Sequence, residues 1–479
     1  MPLNNYLDYA KGADLVKPII ALLDPEGSQN EGSLFRFMRL EQIDDNRCQL
    51  TSYLQEDSWG TLFIPSSGIV GESKFLIDGA DLKNRLNFEP WSSNPLRIKA
   101  TKRKAILVEC LLNINQPRDL IDHIESVIYS GSVDEFQPPN MPKWSESFVG
   151  AVPESIKFRK RVSILNTFSK YQNDKNHRFV WFHIEDGKLA VYGSEYSGGD
   201  AGISLMKVAV PITGPVVDNP DAVTGKKRFS MPARHLSRLL HLIDENSPLY
   251  FRVSDTGGHV QFWSDKGWFV FPCVASSLSK TLSVSAPIFL NQGVAAERVS
   301  QRVYCAQELA NKIAMQKAYK KNDPEGVRLE CTDSHLVISK LADMLRKDET
   351  YALFADLTGD EAPWRPLIVH QSYFLTAMMA ALKYCKQLTE EELFETGGEF
   401  VDDVPFGEEW NDNTSEDYLM LTNEVNYENS HLVSVTQQYL PDKGMWCVYV
   451  DPVPYSDECA IYLAANIESK LDDWSEDNI

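Results

Sequence analysis

The same change of hydrophobic period occurs three times along the chain. The three segments are 75–86, 229–240 and 367–378. Apolar residues first alternate, as Phe75 and Ile77 do, and after a polar or proline break they recur at helical spacing, as Leu82 and Leu86 do. Period 2 passing into period 3.6 predicts a strand that runs into an amphipathic helix. Three such units favour one structural module used three times.

Each unit lies in a longer run of elements with a common order: a helix, paired strands, a further strand, the strand-to-helix unit and closing strands. The predicted first helices are 6–23, 154–172 and 306–321. The predicted strand pairs are 34–41 with 48–54, 179–184 with 188–194, and 327–332 with 335–341. The middle pair is joined by Glu185-Asp186-Gly187, a typical hairpin turn. Linkers are predicted near 130–150 and 285–300.

This order predicts an α+β chain in which each module carries helices on one face of antiparallel sheets. The predicted domains are 1–145, 146–295 and 296–467. A length of 479 residues agrees with this number of domains, at about 150 residues each. An acidic tail, 468–479, follows the third domain.

The segment 388–417 is predicted to be an insertion in the third domain. It holds twelve Asp or Glu residues and no Lys or Arg. Such a segment is usually a solvated loop. The alternative is a partner-binding loop, since four aromatic residues are spaced among the acids: Phe394, Phe400, Phe406 and Trp410.

The distribution of charge matters more than its sum. A net charge of −21 disfavours nucleic acid as a partner, because contact with phosphate depends on Lys and Arg. However, the predicted helix 154–172 carries five basic residues against one acidic, and 306–321 carries four against one. The helix at 233–243 has Arg234 and Arg238 and no acid. Basic helices within an acidic body are therefore the feature to explain.

The remaining composition excludes several classes of protein. No apolar run approaches the roughly 20 residues that cross a membrane, and Met1–Asp14 lacks the pattern of a secretion signal. Eight cysteines without a CxxC pair are typical of free thiols in a reducing cytoplasm. We find no phosphate-binding glycine loop and no nucleophile elbow, and His235 and His241 are too far apart to share a helix face. We therefore expect a cytoplasmic protein that is not an enzyme and needs no cofactor or metal.

Four segments resemble, in their order along the chain, elements of one family. They are Phe229–Leu240 with the strands after it, His370–Leu382, Leu419–Asn423 and Ala460–Leu463. The family is the bacterial-type DNA polymerase III beta sliding clamp. The first segment is similar to its "vPArkL" helix start, and the second to its last-domain helix "nvsYLldvLnaL". The resemblance covers most of 150–467 and is weaker over 1–145.

The resemblance implies a head-to-tail homodimer of three-domain chains that closes into a ring around double-stranded DNA. Helices would line the hole and contact phosphates without reading base sequence, while the acidic exterior keeps DNA in the hole. The expected DNA-facing residues are Lys157, Arg159, Lys160, Arg161, Lys170, Arg234, Arg238, Lys312, Lys317, Lys320 and Lys321. The implied location is the cytoplasm of a bacterial cell.

The resemblance also implies a pocket for short peptides of the DNA polymerase and the clamp loader. The residues at the matching positions are His370, Tyr373, Leu463, Ala464 and Ala465. This chain departs from the family where Ala464–Ile467 replaces the "Met-Pro-Met" end and Gly193–Tyr196 replaces "TDghRL". These departures favour a divergent clamp, of the kind that a phage with its own replisome would encode.

A second hypothesis belongs to another class of protein. A clamp-fold or DNA-mimicking interaction protein would bind replication proteins without encircling DNA. The net charge of −21 and the acidic insertion favour this hypothesis, and the basic helices oppose it.

Overall fold

The structure, a computed structural model, describes the chain in segments. They are 6–9, 12–23, 34–44, 46–54, 57–68, 74–100, 106–112, 123–128, 141–169, 179–185, 187–196, 203–213, 228–244, 246–273, 299–305, 326–331, 335–340, 351–355, 365–387, 432–440, 445–453 and 459–467. These residues belong to two compact units. The first unit comprises those within Met1–Arg159, His183–Leu189 and Pro211–Ala275, and the second those within Lys160–Phe182, Ala190–Val210 and Ser276–Ile479.

The elements follow one another in three similar runs. The first run is β1 (Tyr6–Tyr9), α1 (Gly12–Leu22), a 3₁₀ turn (Leu34–Arg36), β2 (Phe37–Asp44), β3 (Arg47–Leu54), β4 (Ser58–Pro65), β5 (Ser67–Gly68), β6 (Lys74–Asp78), α2 (Gly79–Leu86), β7 (Leu96–Ala100), β8 (Ile106–Leu111) and β9 (His123–Ile128). The second is β10 (Trp144–Val152), α3 (Ser155–Ser169), β11 (Phe179–Glu185), β12 (Lys188–Tyr196), β13 (Ile203–Pro211), β14 (Arg228–Pro232), a 3₁₀ turn (Ala233–His235), α4 (Leu236–Leu239), β15 (Leu249–Ser254), β16 (His259–Ser264) and β17 (Gly267–Pro272). The third is β18 (Val299–Cys305), β19 (Gly326–Cys331), β20 (His335–Lys340), β21 (Tyr351–Ala355), β22 (Leu367–His370), α5 (Gln371–Cys385), β23 (Leu432–Leu440), β24 (Met445–Val453) and β25 (Cys459–Ile467).

One order of antiparallel pairing recurs in the three runs. The first strand of each run pairs with the strand after the second helix, and two further strands complete the sheet. These sheets are β1-β7-β8-β9, β10-β15-β16-β17 and β18-β23-β24-β25. A second type of sheet is formed by β6-β2-β3-β4 in the first run and by β22-β19-β20-β21 in the third.

Sheets from successive runs are joined edge to edge within each compact unit. In the first unit β4 pairs with β17, which places Gly60 opposite Phe269. In the second unit β13 pairs with β25, which places Met206 opposite Ile461. A Cβ atom on Gly60 would lie 2.2 Å from Cδ1 of Phe269, so the first join requires glycine at this position. The outermost strand of one run therefore continues a sheet of the next.

The helices form where apolar spacing and local capping agree. Leu15, Ile19 and Leu22 of α1 are buried and recur at three- and four-residue spacing. At the start of α2 the Asp78 carboxylate accepts a hydrogen bond from the Asp81 N–H at 2.9 Å, which caps the helix. The first residue of α1, Gly12, is a glycine because a Cβ there would lie 2.0 Å from the Trp91 carbonyl oxygen.

The strand-to-helix units predicted from the change of period are present at all three positions, as β6 to α2, β14 to α4, and β22 to α5. The α+β fold class with antiparallel sheets is confirmed. The three-domain division 1–145, 146–295 and 296–467 stays a prediction.

Two predictions about local structure were wrong. Residues 6–9 are a strand paired with β5 and β7, so the first helix begins at Gly12 and not at residue 6. Residues from Trp144 belong to β10 and are not part of a linker. The predicted helix 306–321, the segment Leu419–Asn423, the predicted insertion 388–417 and the tail 468–479 lie outside the described residues.

Candidate nucleic-acid interface and peptide site

Helix α3 is buried on one side and carries basic side chains on the other. Phe158, Val162 and Leu165 are fully buried and hold one side of the helix against the protein. Arg159 is exposed, and Lys157 and Lys160 are half-buried. The structure therefore places basic groups on the outer side of α3, as a phosphate-facing helix requires. Lys170 lies outside the described residues.

Arg161 does not belong to this outer face. Its side chain is only 2% exposed, and its guanidinium carbon lies 4.1 Å from the centroid of the Tyr384 ring on α5. Arg161 follows Phe158 by three residues and precedes Leu165 by four, so it lies on the buried stripe. The expectation that Arg161 faces DNA was wrong, because the guanidinium is used in a cation–π contact inside the second unit.

The same packing is continued by polar contacts between α3 and the end of α5. Lys383 donates a hydrogen bond from Nζ to the Ser163 carbonyl at 2.9 Å. Gln387 donates from Nε2 to the Ser163 hydroxyl at 3.3 Å. These contacts satisfy a carbonyl on α3 and fix the second half of that helix against α5.

Arg238 was also expected to face DNA, and the structure shows it buried at 6% exposure. Its guanidinium donates to the carbonyls of Ala21 and Leu23 at the end of α1, the latter from Nη2 at 3.2 Å. Its Nε donates to Nδ1 of His235 at 2.9 Å. A cation at a helix C-terminus is favoured by the helix dipole and by the unpaired terminal carbonyls. Arg238 therefore holds α1 and α4 together, and the expectation of DNA contact was wrong.

Other basic groups surround this contact. The pKa of His241 is lowered by burial, and also by the positive charges of Arg238, Arg159 and Lys17. Lys17 and Arg159 are exposed and His241 is half-buried. The four groups come from α1, α3, and α4 with the turn after it, and the three cations act electrostatically on His241. Lys17 and His241 were missed from the sequence because neither lies in a run of basic residues.

Arg234 is exposed on the 3₁₀ turn before α4, and its contact with DNA stays a prediction. Four further residues expected to face DNA lie outside the described residues: Lys312, Lys317, Lys320 and Lys321.

The structure brings together two of the residues expected at the peptide pocket. The rings of His370 and Tyr373 are stacked with centroids 4.4 Å apart, and Nδ1 of His370 is 2.9 Å from the Ser372 hydroxyl. Tyr373 is 4% exposed, while His370 is half-buried at the start of α5. Helix α5 packs on β24 and β25.

The other pocket residues lie on β25. Leu463 and Ala465 share one face of the strand and are 1% and 4% exposed, and Ala464 lies between them. Leu463 pairs with Ser204 of β13 on one side and with Val448 of β24 on the other. The position expected to hold the pocket is therefore also part of the join between β13 and β25.

Aromatic residues beside Ala465 were missed from the sequence. Trp446 is opposite Ala465 in the pairing of β24 with β25, and Tyr439 is opposite Trp446. The Tyr439 and Trp446 rings are 5.3 Å apart, and the Arg365 guanidinium carbon lies 5.6 Å from the Trp446 ring centroid. Tyr439 is 44% exposed, so this group offers an accessible aromatic surface. Only the strand pairing could have placed it beside Ala465.

Two glutamine side chains in the same module are buried without partners. Gln371 and Gln437 are 1% and 2% exposed, and within the described residues neither side-chain amide has a hydrogen-bond partner. Gln437 lies two residues from Tyr439, on the same face of β23. Buried amides usually have partners, and these two side chains depart from that rule within the described residues.

The fold matches solved structures of sliding clamps along nearly the whole chain. A DNA polymerase III beta sliding clamp from Pseudomonas aeruginosa bound to griselimycin has a TM-score of 0.65 at 10% identity, covering 97% of this chain and 99% of that one. The Borrelia burgdorferi beta subunit in complex with a natural product has a TM-score of 0.65 at 11% identity, covering 97% and 98%. A Helicobacter pylori beta clamp bound to a DNA ligase peptide has a TM-score of 0.57 at 12% identity, covering 96% and 99%.

These similarities define the class of fold. The chain has the fold of the bacterial DNA polymerase III beta sliding clamps, and the resemblance found in the sequence is confirmed at the level of fold. No protein-family model matches the chain, and no curated protein sequence matches it either. Among the described residues, no helix is long and apolar enough to span a bilayer, and no cluster of His, Cys, Asp and Glu could hold a metal ion.

Proposed function

We propose that the protein is a DNA sliding clamp, a non-enzymatic processivity factor that encircles duplex DNA as a head-to-tail homodimer and tethers a replicative polymerase. The observation that carries this proposal is the recurring edge-to-edge joining of sheets. At both joins, the third strand after the first helix of one run pairs with the last strand of the next run. These pairs are β4 with β17 and β13 with β25.

The same rule leaves one equivalent strand at each end of the series. In the third run the strand equivalent to β4 and β13 is β21, and in the first run the strand equivalent to β17 and β25 is β9. Among the described strands, β21 pairs only with β20 and β9 only with β8. An unpaired edge is a template for another strand. Pairing of β21 with β9 of a second copy, and of β9 with β21 of that copy, gives a head-to-tail dimer in which two equal heterologous joins close a ring.

The DNA-facing surface of such a ring is proposed to include the outer side of α3. Lys157, Arg159 and Lys160, together with Arg234, are retained from the sequence prediction, as are the five lysines outside the described residues: Lys170, Lys312, Lys317, Lys320 and Lys321. Arg161 and Arg238 are removed. Contacts of this kind are independent of sequence and weaken steeply with salt.

The peptide site is proposed to lie on the third run, at His370, Tyr373, Leu463, Ala464 and Ala465. The structural neighbour bound to a DNA ligase peptide supports the capture of short segments of replication proteins. Trp446 and Tyr439 add an aromatic surface beside Ala465. We propose that segments of the polymerase and the loader bind here through apolar anchors.

A second candidate, a clamp-fold protein that binds replication proteins without encircling DNA, is favoured by the net charge of −21. Two measurements separate the candidates. The first is the mass by light scattering at low micromolar protein. A clamp is expected at twice 54.2 kDa, and a monomer in the absence of any partner would contradict the closed ring.

The second measurement is retention on nicked circular DNA after loading, compared with the same DNA linearised. A ring stays on the circle and slides off the line. Arg159→Glu with Lys160→Glu should reduce polymerase processivity, whereas Lys143→Glu, an exposed charge before β10, serves as the control. Equal loss from circular and linear DNA would refute encirclement and favour the second candidate.

To test the edge pairing, Ala352→Pro and Leu353→Pro are compared on β21. Neighbouring residues of a strand direct their N–H groups to opposite sides, so one of the two substitutions removes a donor from the outer edge. That variant should be a folded monomer. If both variants remain folded dimers, the pairing of β21 with β9 is wrong.

A further inference from the structure

A cationic and aromatic group of side chains lies where β25 ends. Leu367 of β22 pairs with Ile467, the last residue of β25, so Arg365 lies beside the point where the chain leaves the sheet. On the other edge of β25, Trp446 of β24 is opposite Ala465. The Arg365 guanidinium carbon lies 5.6 Å from the Trp446 ring centroid. Side chains from the two sides of β25 therefore meet across its end.

This patch, which consists of Arg365, Tyr439 and Trp446, fits a ligand that is both acidic and apolar. Arg365 is exposed, and no carboxylate among the described residues forms an ion pair with it. Tyr439 is 44% exposed, and its ring centroid lies 5.3 Å from that of Trp446. A guanidinium offers charge-assisted hydrogen bonds to a carboxylate, and the rings beside it offer apolar area to a neighbouring side chain.

The acidic tail, 468–479, has this composition and starts at the patch. It holds five Asp or Glu residues and one Lys, with Leu471 and Trp474 among the acids. These two residues follow Ile467 by four and seven positions, so they can lie at most about 14 Å and 25 Å from it. Tyr439 is two strands away from β25, which corresponds to about 10 Å. Both apolar side chains of the tail can therefore reach the patch if the chain turns back over the end of β25.

We propose that the tail binds the patch of its own chain, with Leu471 and Trp474 against the rings and a carboxylate at Arg365, and so covers part of the peptide site beside Ala465. The consequence for partner segments rests on the proposed function, since it supposes that they use the same site. A short tether gives an effective concentration in the mM range, so an intrinsic Kd of about 0.1 mM leaves the patch occupied roughly nine-tenths of the time. Partner segments then bind with an affinity reduced to the fraction of sites that the tail leaves open.

The test uses the full-length protein and a fluorescein-labelled synthetic peptide with the sequence of residues 468–479. Fluorescence anisotropy gives the Kd of this peptide for the wild type and for a tail variant that carries Leu471→Ser and Trp474→Ser. The variant keeps the length and the charge of the tail and loses its apolar side chains. The peptide should bind the variant about tenfold more tightly than the wild type, because the attached tail no longer competes for the patch. The matched control, Ser469→Ala with Ser475→Ala, should bind the peptide as the wild type does.

Substitutions on the patch, made in the tail variant, identify the surface that the peptide uses. Arg365→Gln should weaken peptide binding about two- to fivefold, the range for an exposed ion pair, and this effect should shrink at high salt. Tyr439→Ser should also weaken binding, through the loss of apolar contact. Lys386→Gln removes another exposed cation, at the C-terminal end of α5, and should leave the Kd unchanged.

Equal peptide affinity of the wild type and the tail variant would overturn the inference, and so would peptide binding that is unchanged by both Arg365→Gln and Tyr439→Ser. These results are independent of DNA. Retention of both proteins on circular DNA, together with equal peptide affinities, would overturn the inference and leave the clamp proposal intact. Tighter peptide binding by the tail variant, together with loss of both proteins from circular DNA, would support the contact of the tail with the patch and contradict the clamp.

Discussion

Replacement of Arg238 by Met distinguishes a buried positioning residue from a DNA-facing one. Met keeps most of the aliphatic volume and removes the donors that reach Ala21, Leu23 and His235. Hydrogen bonds from a charged donor contribute about 1.5–3 kcal/mol each. Part of this is offset because burying a guanidinium itself costs several kcal/mol. We expect a net loss of about 3 kcal/mol in the local stability of α1.

Global unfolding is a poor assay here, because a chain with two units does not unfold in one step. Hydrogen exchange at the α1 amides measures the local opening directly. A loss of about 3 kcal/mol corresponds to roughly a hundredfold lower protection. Arg234→Met, four residues earlier and exposed, should change protection by less than about threefold, since surface substitutions usually cost under 0.5 kcal/mol. Equal protection in Arg238→Met and Arg234→Met would refute the role given to Arg238.

Three further predictions follow from individual contacts. Gly60→Val should destabilise the β4·β17 join by about 1–3 kcal/mol, because its side chain would overlap the Phe269 ring. Hydrogen exchange at the β4 and β17 amides measures this loss, and Gly258→Ala should leave their protection nearly unchanged. Burial raises the pKa of the Cys273 and Cys447 thiols to about 12, so the neutral thiol persists to high pH; mass spectrometry should find both unalkylated by iodoacetamide at pH 9 in the native protein and modified in urea. Arg161→Met should lower the hydrogen-exchange protection of α5 near Tyr384 without changing how steeply DNA affinity falls with salt concentration. A changed salt dependence would mean that Arg161 contacts DNA.

The strand-to-helix units could be predicted from the sequence because both periods are local. Phe75 to Leu86 contains the strand, the Asp78 cap and the helix within twelve residues. The opening strands β1 and β10 were missed. Each pairs with a strand that lies roughly 100 residues later, β7 and β15, and neither shows the alternation of a half-buried strand over a sufficient length. Non-local pairing of this kind leaves little trace in a single sequence.

The candidate site was predicted in part for a similar reason. The charge count on α3 correctly located a basic helix with exposed and half-buried basic residues. It could not distinguish Arg159, which is exposed, from Arg161, which packs on Tyr384. The partners of Arg238 are backbone carbonyls more than 200 residues away, and carbonyls have no signature in the sequence. The position of Trp446 beside the proposed peptide site became visible only once β24 was paired with β25.

The edge-to-edge joins also set an order in which the chain can fold during its synthesis. Strand β4 has no partner on one edge until β17 leaves the ribosome, about 200 residues later. One edge of strand β13 stays unpaired for longer, until β25 has been synthesised. At bacterial rates of roughly 5–20 residues per second, each edge stays open for on the order of ten to fifty seconds. During this time the nascent chain carries unpaired strand edges that can aggregate. A chaperone would act most usefully while residues 68–267 are being synthesised, before the first edge is covered, and slow codons in that interval would prolong the exposure.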